Sequence, residues 1–206
     1  MVDANPISSL LIELGKENTK VEGQISQFRE YLLEVNRKIN LISRVNSTEV
    51  VDDLIFDSLS MLRHIQYPNG ARLLDFGSGA GFPWVIHKIV VPKLEIVSID
   101  SNRRKIEFQR NAARALGFDA CQYHAARVED VNRLDVEFAI AKAFGSVELI
   151  AELARPHLQP GGRLLLPRIG DEGSIETPAG FAPANSHGYV SSVKGRLSNL
   201  IIFTKI

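Results

Sequence analysis

The sequence predicts an α/β protein in which a mainly parallel, doubly wound sheet follows an N-terminal helical cap. Three observations carry that reading. Apolar residues recur at helical spacing up to about residue 69, short apolar runs alternate with helical stretches from Ala71 onward, and a glycine-rich turn joins the first such run to the helix after it. The alternation is the pattern of βαβ units, whose parallel strands need crossover helices.

In the first part, Ile7, Leu10, Leu11 and Leu14 fall at i, i+3, i+4 and i+7, and Ile25, Phe28 and Leu32 continue the period. A third helix is expected over 47–64, with Val50, Val51, Leu54, Ile55 and Leu62 as its buried stripe. Asn46 and Glu49 are spaced as a capping box for it. Pro68-Asn69-Gly70 then reads as a turn. This divides the chain into a helical extension, 1–69, and an α/β domain, 70–206. In the second part strands are expected at 72–76, 95–99, 120–124, 137–142 and 163–167, with helices at 83–90, 103–116 and 146–158. Gln159-Pro160-Gly161-Gly162 reads as a tight turn, and 170–188 as a long irregular loop rich in Gly, Pro, Ser and Ala. Leu197 and Leu200-Ile201-Ile202-Phe203 suggest a last antiparallel strand at the sheet edge.

Composition narrows the function classes. The chain has 206 residues, 45% of them hydrophobic, which suffices for one full α/β core. Lys plus Arg and Asp plus Glu number 24 each, so any nucleic-acid contact must use a local basic patch. Cys121 is the only cysteine, which excludes an intramolecular disulfide and a cysteine-cluster metal site. No apolar run approaches membrane-span length and the first residues carry no basic leader, so a soluble, cytoplasmic protein is expected. A monomer is expected as well. His64, His87, His124, His157 and His187 lack metal-ligand spacing and are expected to be structural.

The chemistry concentrates after the first strand. In Asp75-Phe76-Gly77-Ser78-Gly79-Ala80-Gly81 the glycines let the backbone turn sharply and approach a ligand without a Cβ collision. A dinucleotide fingerprint needs G-x-G-x-x-G, and Phe82 stands where its last glycine would be. The spacing favours the methyltransferase variant of the Rossmann-like fold, class I, which binds S-adenosylmethionine. Asp75 suits that cofactor's amino group, directly or through water, while Gly77, Ser78, Gly79, Gly81 and Phe82 form the turn. Asp100, ending the second strand ahead of Ser101, can accept from both ribose hydroxyls. After the third strand, the Val128 backbone N–H and the Glu129 carboxylate are placed for an adenine ring. Arg127 and Lys142, at strand ends near the expected methyl group, are the expected catalytic residues, orienting the acceptor.

Absences limit the acceptor. Pyrimidine C5 methylation normally needs a cysteine nucleophile, and Cys121 sits mid-strand. Exocyclic amino methylation commonly uses an Asn/Asp-Pro-Pro-Tyr element where this chain has Ala141-Lys142-Ala143-Phe144. No carboxylate cluster suggests a metal-assisted reaction. An acceptor with a free lone pair remains, such as a purine N7. Arg103, Arg104, Lys105, Arg110 and Arg114 are either a solvated helix face or phosphate contacts. Trp84 either packs in the core or covers the methionine pocket.

The run Leu74 to Pro83, Asp100-Ser101-Asn102, Arg127-Val128-Glu129, Ala143-Phe144 and Pro160-Gly161-Gly162 together resemble the RsmG family of bacterial small-subunit ribosomal RNA guanine-N7 methyltransferases, also called glucose-inhibited division protein B (GidB). Asn40-Leu41-Ile42 and Asp57-Ser58-Leu59 match the family's N-terminal helical signature, and the resemblance covers about residues 25–168. It implies methyl transfer from S-adenosylmethionine to a guanine N7 of 16S ribosomal RNA, with the RNA or ribosomal particle as partner and no metal. The chain has Leu54, Trp84 and Lys142 where the family usually has His, Gly and Arg. A same-fold enzyme for another RNA site or a small molecule, and an inactive ribosome-associated factor, are the alternative readings.

Overall fold

A computed structural model describes residues 5–170 and 175–206. Three helices come first: α1 Pro6–Glu13, α2 Thr19–Asn36 and α3 Ser47–Met61. The α/β part follows with β1 Arg72–Phe76, α4 Trp84–Val90, β2 Glu95–Ile99, α5 Arg103–Ala115, β3 Cys121–His124, β4 Val136–Ile140, α6 Val147–Ala154, β5 Leu158–Ile169, β6 Asn185–Val190 and β7 Leu197–Thr204. The seven strands form one sheet in the order β3-β2-β1-β4-β5-β7-β6. The first five are parallel, and β7 and β6 run antiparallel.

Alternation along each strand gives the sheet two apolar faces. Leu73, Ile96, Phe138, Ile140 and Leu165 share one core with α1–α4, including Leu10, Leu11, Ile25, Phe28, Leu32, Ile55 and Leu59. Leu74, Phe76, Val97, Ala139, Leu164 and Phe203 face the other way, against Ile150, Ala151 and Ala154 of α6. The helical extension is thus packed on the sheet. The two ends of α2 are fixed by polar side chains: Asn18 Oδ1 accepts from Val21 N at 2.9 Å and caps the helix, and buried Asn36 Oδ1 accepts from Leu41 N and Ile42 N.

Several sequence expectations are corrected. Asn46 does not cap α3: its backbone is left-handed, φ 52°, its side chain makes no cap bond, and Glu49 pairs instead with Lys194. The expected tight turn at Gln159–Gly162 is a bulge within β5, because the register with β4 jumps between Val136↔Leu158 and Phe138↔Arg163. The expected edge strand, β7, is internal. The edge is β6, which starts inside the stretch read as a loop and continues to Val190. That strand is short and buries only Tyr189, so it has no apolar alternation to betray it. Cys121 is half-buried in the edge strand β3, its thiol donating to the Asp119 carbonyl. Part of the expected loop, 171–174, lies outside the described residues.

Candidate cofactor and acceptor site

The site is built at the carboxyl ends of the parallel strands, where open α/β sheets bind ligands. Beyond β1 the chain turns through Gly77, Gly79 and Gly81, with φ of 70°, 56° and 90°. Gly77 N and Ser78 N both donate to Ile99 O, tying the turn to the end of β2. At two of the turn's glycines, space as well as φ favours that residue. A Cβ on Gly77 would lie 2.3 Å from Cδ2 of Phe144, and one on Gly81 would lie 2.7 Å from Cγ2 of Val85.

Beneath the turn lies a buried polar network. Gln109 Nε2 donates to Ser78 Oγ and to Gly79 O, and its Oε1 accepts from Trp84 Nε1 at 2.8 Å and from Ser98 Oγ at 2.5 Å. Trp84 is fully buried beside Phe118 and Tyr123. Of its two expected roles it takes packing. Phe82 is also turned inward, against Phe28 at 5.4 Å.

Asp75, at the end of β1, is 1% exposed. It accepts from the Trp84 backbone N–H, while its Oδ2 has no partner among the described residues. Burial, countered in part by Trp84 and the Lys142 ammonium, pushes its carboxyl well above the usual carboxylate range. Asp100 is also buried. Its Oδ2 accepts from Gly79 N at 2.9 Å and its Oδ1 from Asn102 N at 2.8 Å, so each oxygen retains accepting capacity.

A cavity of about 360 Å³ opens beside these residues. Gly77, Asp100, Ser101, Arg127, Val128 and Glu129, all predicted from sequence, line it. So do Lys105 and Phe144, which sequence reasoning had not placed in the site, although Lys105 stood in the basic helix and Phe144 in the family motif. Val128 opens a single 3-10 turn, Val128–Asp130. A larger cavity, about 530 Å³, lies among α1, α2 and α3 and contains none of the sequence-predicted site residues.

Lys142 does not line the cofactor cavity with Arg127. It lies two residues beyond Ile140, the register partner of Asp75, and its Nζ donates to Asp57 Oδ2 at 2.5 Å. Asp57, on α3, also accepts from Tyr189 OH of β6 at 2.8 Å. Neither partner was singled out as a site residue, because sequence separations of 85 and 132 leave no local signal. Nearby, His87 is fully buried, bonded through Nδ1 to Tyr67 OH and through Nε2 to the Ser58 carbonyl. Burial pushes its pKa down to about 4, so the ring is neutral.

These residues fit S-adenosylmethionine. The unpartnered Asp75 oxygen suits an ammonium, the turn offers close backbone approach, and Asp100 and Glu129 flank a cavity of nucleoside size. Fold and site define a class I S-adenosylmethionine-dependent methyltransferase. A solved S-adenosylmethionine-dependent methyltransferase from Aquifex aeolicus shares the fold at a TM-score of 0.52 and 17% identity, over 75% of this chain and 92% of that one. The family model for rRNA small subunit methyltransferase G (GidB) matches residues 21–179, and the chain belongs to that family. A ribosomal RNA small subunit methyltransferase G of Geobacter sp. (strain M21) is 38% identical over 144 residues, 68% of this chain and 65% of that protein. Its namesake from Streptococcus sanguinis is 34% identical over 163 residues, 76% of this chain and 69% of that protein. The chain therefore spans about two thirds of the length of these relatives. No helix among the described residues is long and apolar enough to cross a membrane.

Proposed function

We propose that the protein methylates N7 of a guanine in 16S ribosomal RNA, as a cytoplasmic monomer in which residues 1–69 cap the cofactor-binding domain 70–206. The observation that supports this most is the buried Asp75 carboxyl, with one oxygen unpartnered, at the head of a glycine turn that borders the Asp100–Glu129 cavity. In this reading Asp75 takes the cofactor's ammonium, Asp100 with Ser101 the ribose, and Val128 with Glu129 the adenine. Gly77, Ser78, Gly79, Gly81 and Phe82 shape the turn between them. Bound S-adenosylmethionine supplies a methyl group: the N7 lone pair forms the new N–C bond, the S–C pair stays on sulfur, and the positive charge passes to the purine without proton transfer. The protein's work is therefore positioning and electrostatics rather than general-base catalysis.

Arg127 stands at the cavity mouth and Lys142 at the end of β4, the places from which an RNA acceptor would be oriented. The chain's neutrality makes a local cationic face necessary. Arg103, Arg104, Lys105 and Arg127 supply local positive charge, Lys105 and Arg127 together in the cavity lining, and none of them forms an ion pair among the described residues. Three of these cations occupy the first turn of α5, which has no acidic residue. They oppose the helix macrodipole there, a placement that phosphate contacts would offset. The deciding experiment incubates the protein with labelled S-adenosylmethionine and small ribosomal subunits from cells lacking the gene, then maps the labelled base. N7-methylguanine in 16S RNA is expected. Absence of label, or label on another atom, refutes the reading.

A further inference from the structure

We infer that Asp57 is a positioning residue for methyl transfer, holding and neutralising the Lys142 ammonium so that the helical cap and the edge strand set the geometry of the acceptor side. The inference rests on the methyltransferase reading and adds to it a residue outside the cofactor-binding strands.

The geometry begins with one carboxylate gripped from two sides. Asp57 is 4% exposed, in the middle of α3. Its Oδ2 receives Lys142 Nζ and its Oδ1 receives Tyr189 OH, so neither oxygen is free to rotate toward solvent. Three segments, α3, the end of β4 and β6, therefore meet at a single acid. Burying a carboxylate with a lysine is a poor way to stabilise a fold, because desolvation consumes most of the attraction and apolar replacements are often as stable. Its location suggests another use.

Lys142 sits at the ligand-binding end of the sheet. It follows Ile140, the register partner of Asp75, by two residues, and so lies on the side of the carboxyl proposed to take the cofactor's ammonium. Of the next two residues, Ala143 is left-handed, φ 52°, and Phe144 lines the cavity, covers Gly77 and meets Phe76 edge-on at 5.2 Å. A lysine has a flexible four-carbon stem and a point charge. Unheld, it would wander and set its charge beside a purine that becomes cationic as the methyl arrives. Held by Asp57, it keeps its N–H donors at a fixed place while the pair carries no net charge. Tyr189 fixes the carboxylate in turn.

A double-mutant cycle on transfer kinetics tests this, using small-subunit RNA from cells lacking the modification, with calorimetry of S-adenosylmethionine binding alongside. Asp57→Asn keeps the shape and removes the charge. It should lower kcat at least tenfold and change cofactor Kd less than threefold. In a Lys142→Met background the same substitution should change kcat less than twofold, because Asp57 acts through Lys142. An equal loss in both backgrounds overturns the inference and makes Asp57 structural. Should a variant fail to fold, Tyr189→Phe gives an independent criterion, since it removes the hydroxyl that donates to the same carboxylate. A threefold or larger fall in kcat at unchanged cofactor affinity is expected, and wild-type kcat overturns the inference. Wild-type protein that binds the cofactor but labels no RNA refutes the functional reading itself, a different outcome from equal losses in an active enzyme.

Discussion

Replacing Gly77 with Ala puts a methyl group where the structure has none to spare. The added Cβ would stand 2.3 Å from Cδ2 and 2.9 Å from Cε2 of Phe144, against about 3.5–4.0 Å for relaxed carbon contacts. The ring must therefore retreat by about 1 Å or more. It can do so, because Phe144 is 38% exposed and free to swing outward. Swinging loses the edge-on contact with Phe76, worth about 0.5–1.5 kcal/mol. The left-handed φ of 70° adds about 1–2 kcal/mol of strain for any residue with a Cβ. Together these predict a loss of about 1.5–3.5 kcal/mol in urea unfolding, or roughly 3–14 °C in Tm. The larger functional effect falls on the cavity, because Phe144 is one of its walls. S-adenosylmethionine affinity by calorimetry should weaken at least tenfold, about 1.4 kcal/mol. Adding Phe144→Ala separates the two causes: Gly77→Ala should cost less stability in that background, where only backbone strain remains. Wild-type affinity and melting in Gly77→Ala would refute the assignment of this turn to the cofactor.

Other outcomes follow from the same geometry. Asp100→Ala should weaken S-adenosylmethionine at least tenfold in calorimetry, and unchanged affinity would remove it from the ribose role. Burial raises the Asp75 carboxyl and an ammonium beside it would lower it again, so in the pH range where the free carboxyl titrates the enthalpy of cofactor binding should depend on the buffer, a dependence that disappears in Asp75→Asn. Gln109→Ala leaves Trp84 Nε1, Ser98 Oγ and Gly79 O without their partner and opens a void, which predicts a loss of about 2–4 kcal/mol in urea unfolding. His87 titrates near 4 when folded and near 6.5 when unfolded, so its contribution is intact above pH 6.5 and is lost as pH falls toward 4. Between pH 7 and pH 5 it should remove about 2 kcal/mol, and His87→Gln should flatten that part of the stability profile.

How much of this was legible in the sequence depended on whether the determining contacts were local. The parallel strands and the glycine turn carry their instructions within a few residues: apolar runs, positive-φ glycines and an acid at a strand end. Six predicted residues accordingly line one cavity. Trp84 shows where such reading stops. Its place next to the turn suited both packing and a lid, and the choice depends on Gln109, one helix away in sequence but directly beneath the turn. Strand β6 was illegible for the opposite reason: it is held by pairing with β7 and by one buried tyrosine, and its own residues are those of a loop.

The two halves of the proposed site, for cofactor and for acceptor, differ in the same way, and in that reading the difference bears on how acceptor choice is encoded. The cofactor half is drawn from β1 to the turn after β3, a compact stretch in which each strand delivers its residue to the sheet's carboxyl edge. The acceptor half requires α3, the end of β4 and β6 to meet at Asp57, and that meeting exists only once the helical cap has packed on the sheet. Changes in the cap or the last strands can thus re-aim Lys142 while leaving Asp75, Asp100 and Glu129 where they are. Asp75 and Lys142 belong to adjacent strands, so re-aiming the ammonium also shifts the field on the carboxyl expected to hold the cofactor. In the proposed function, cofactor grip and acceptor geometry are coupled through that one charge.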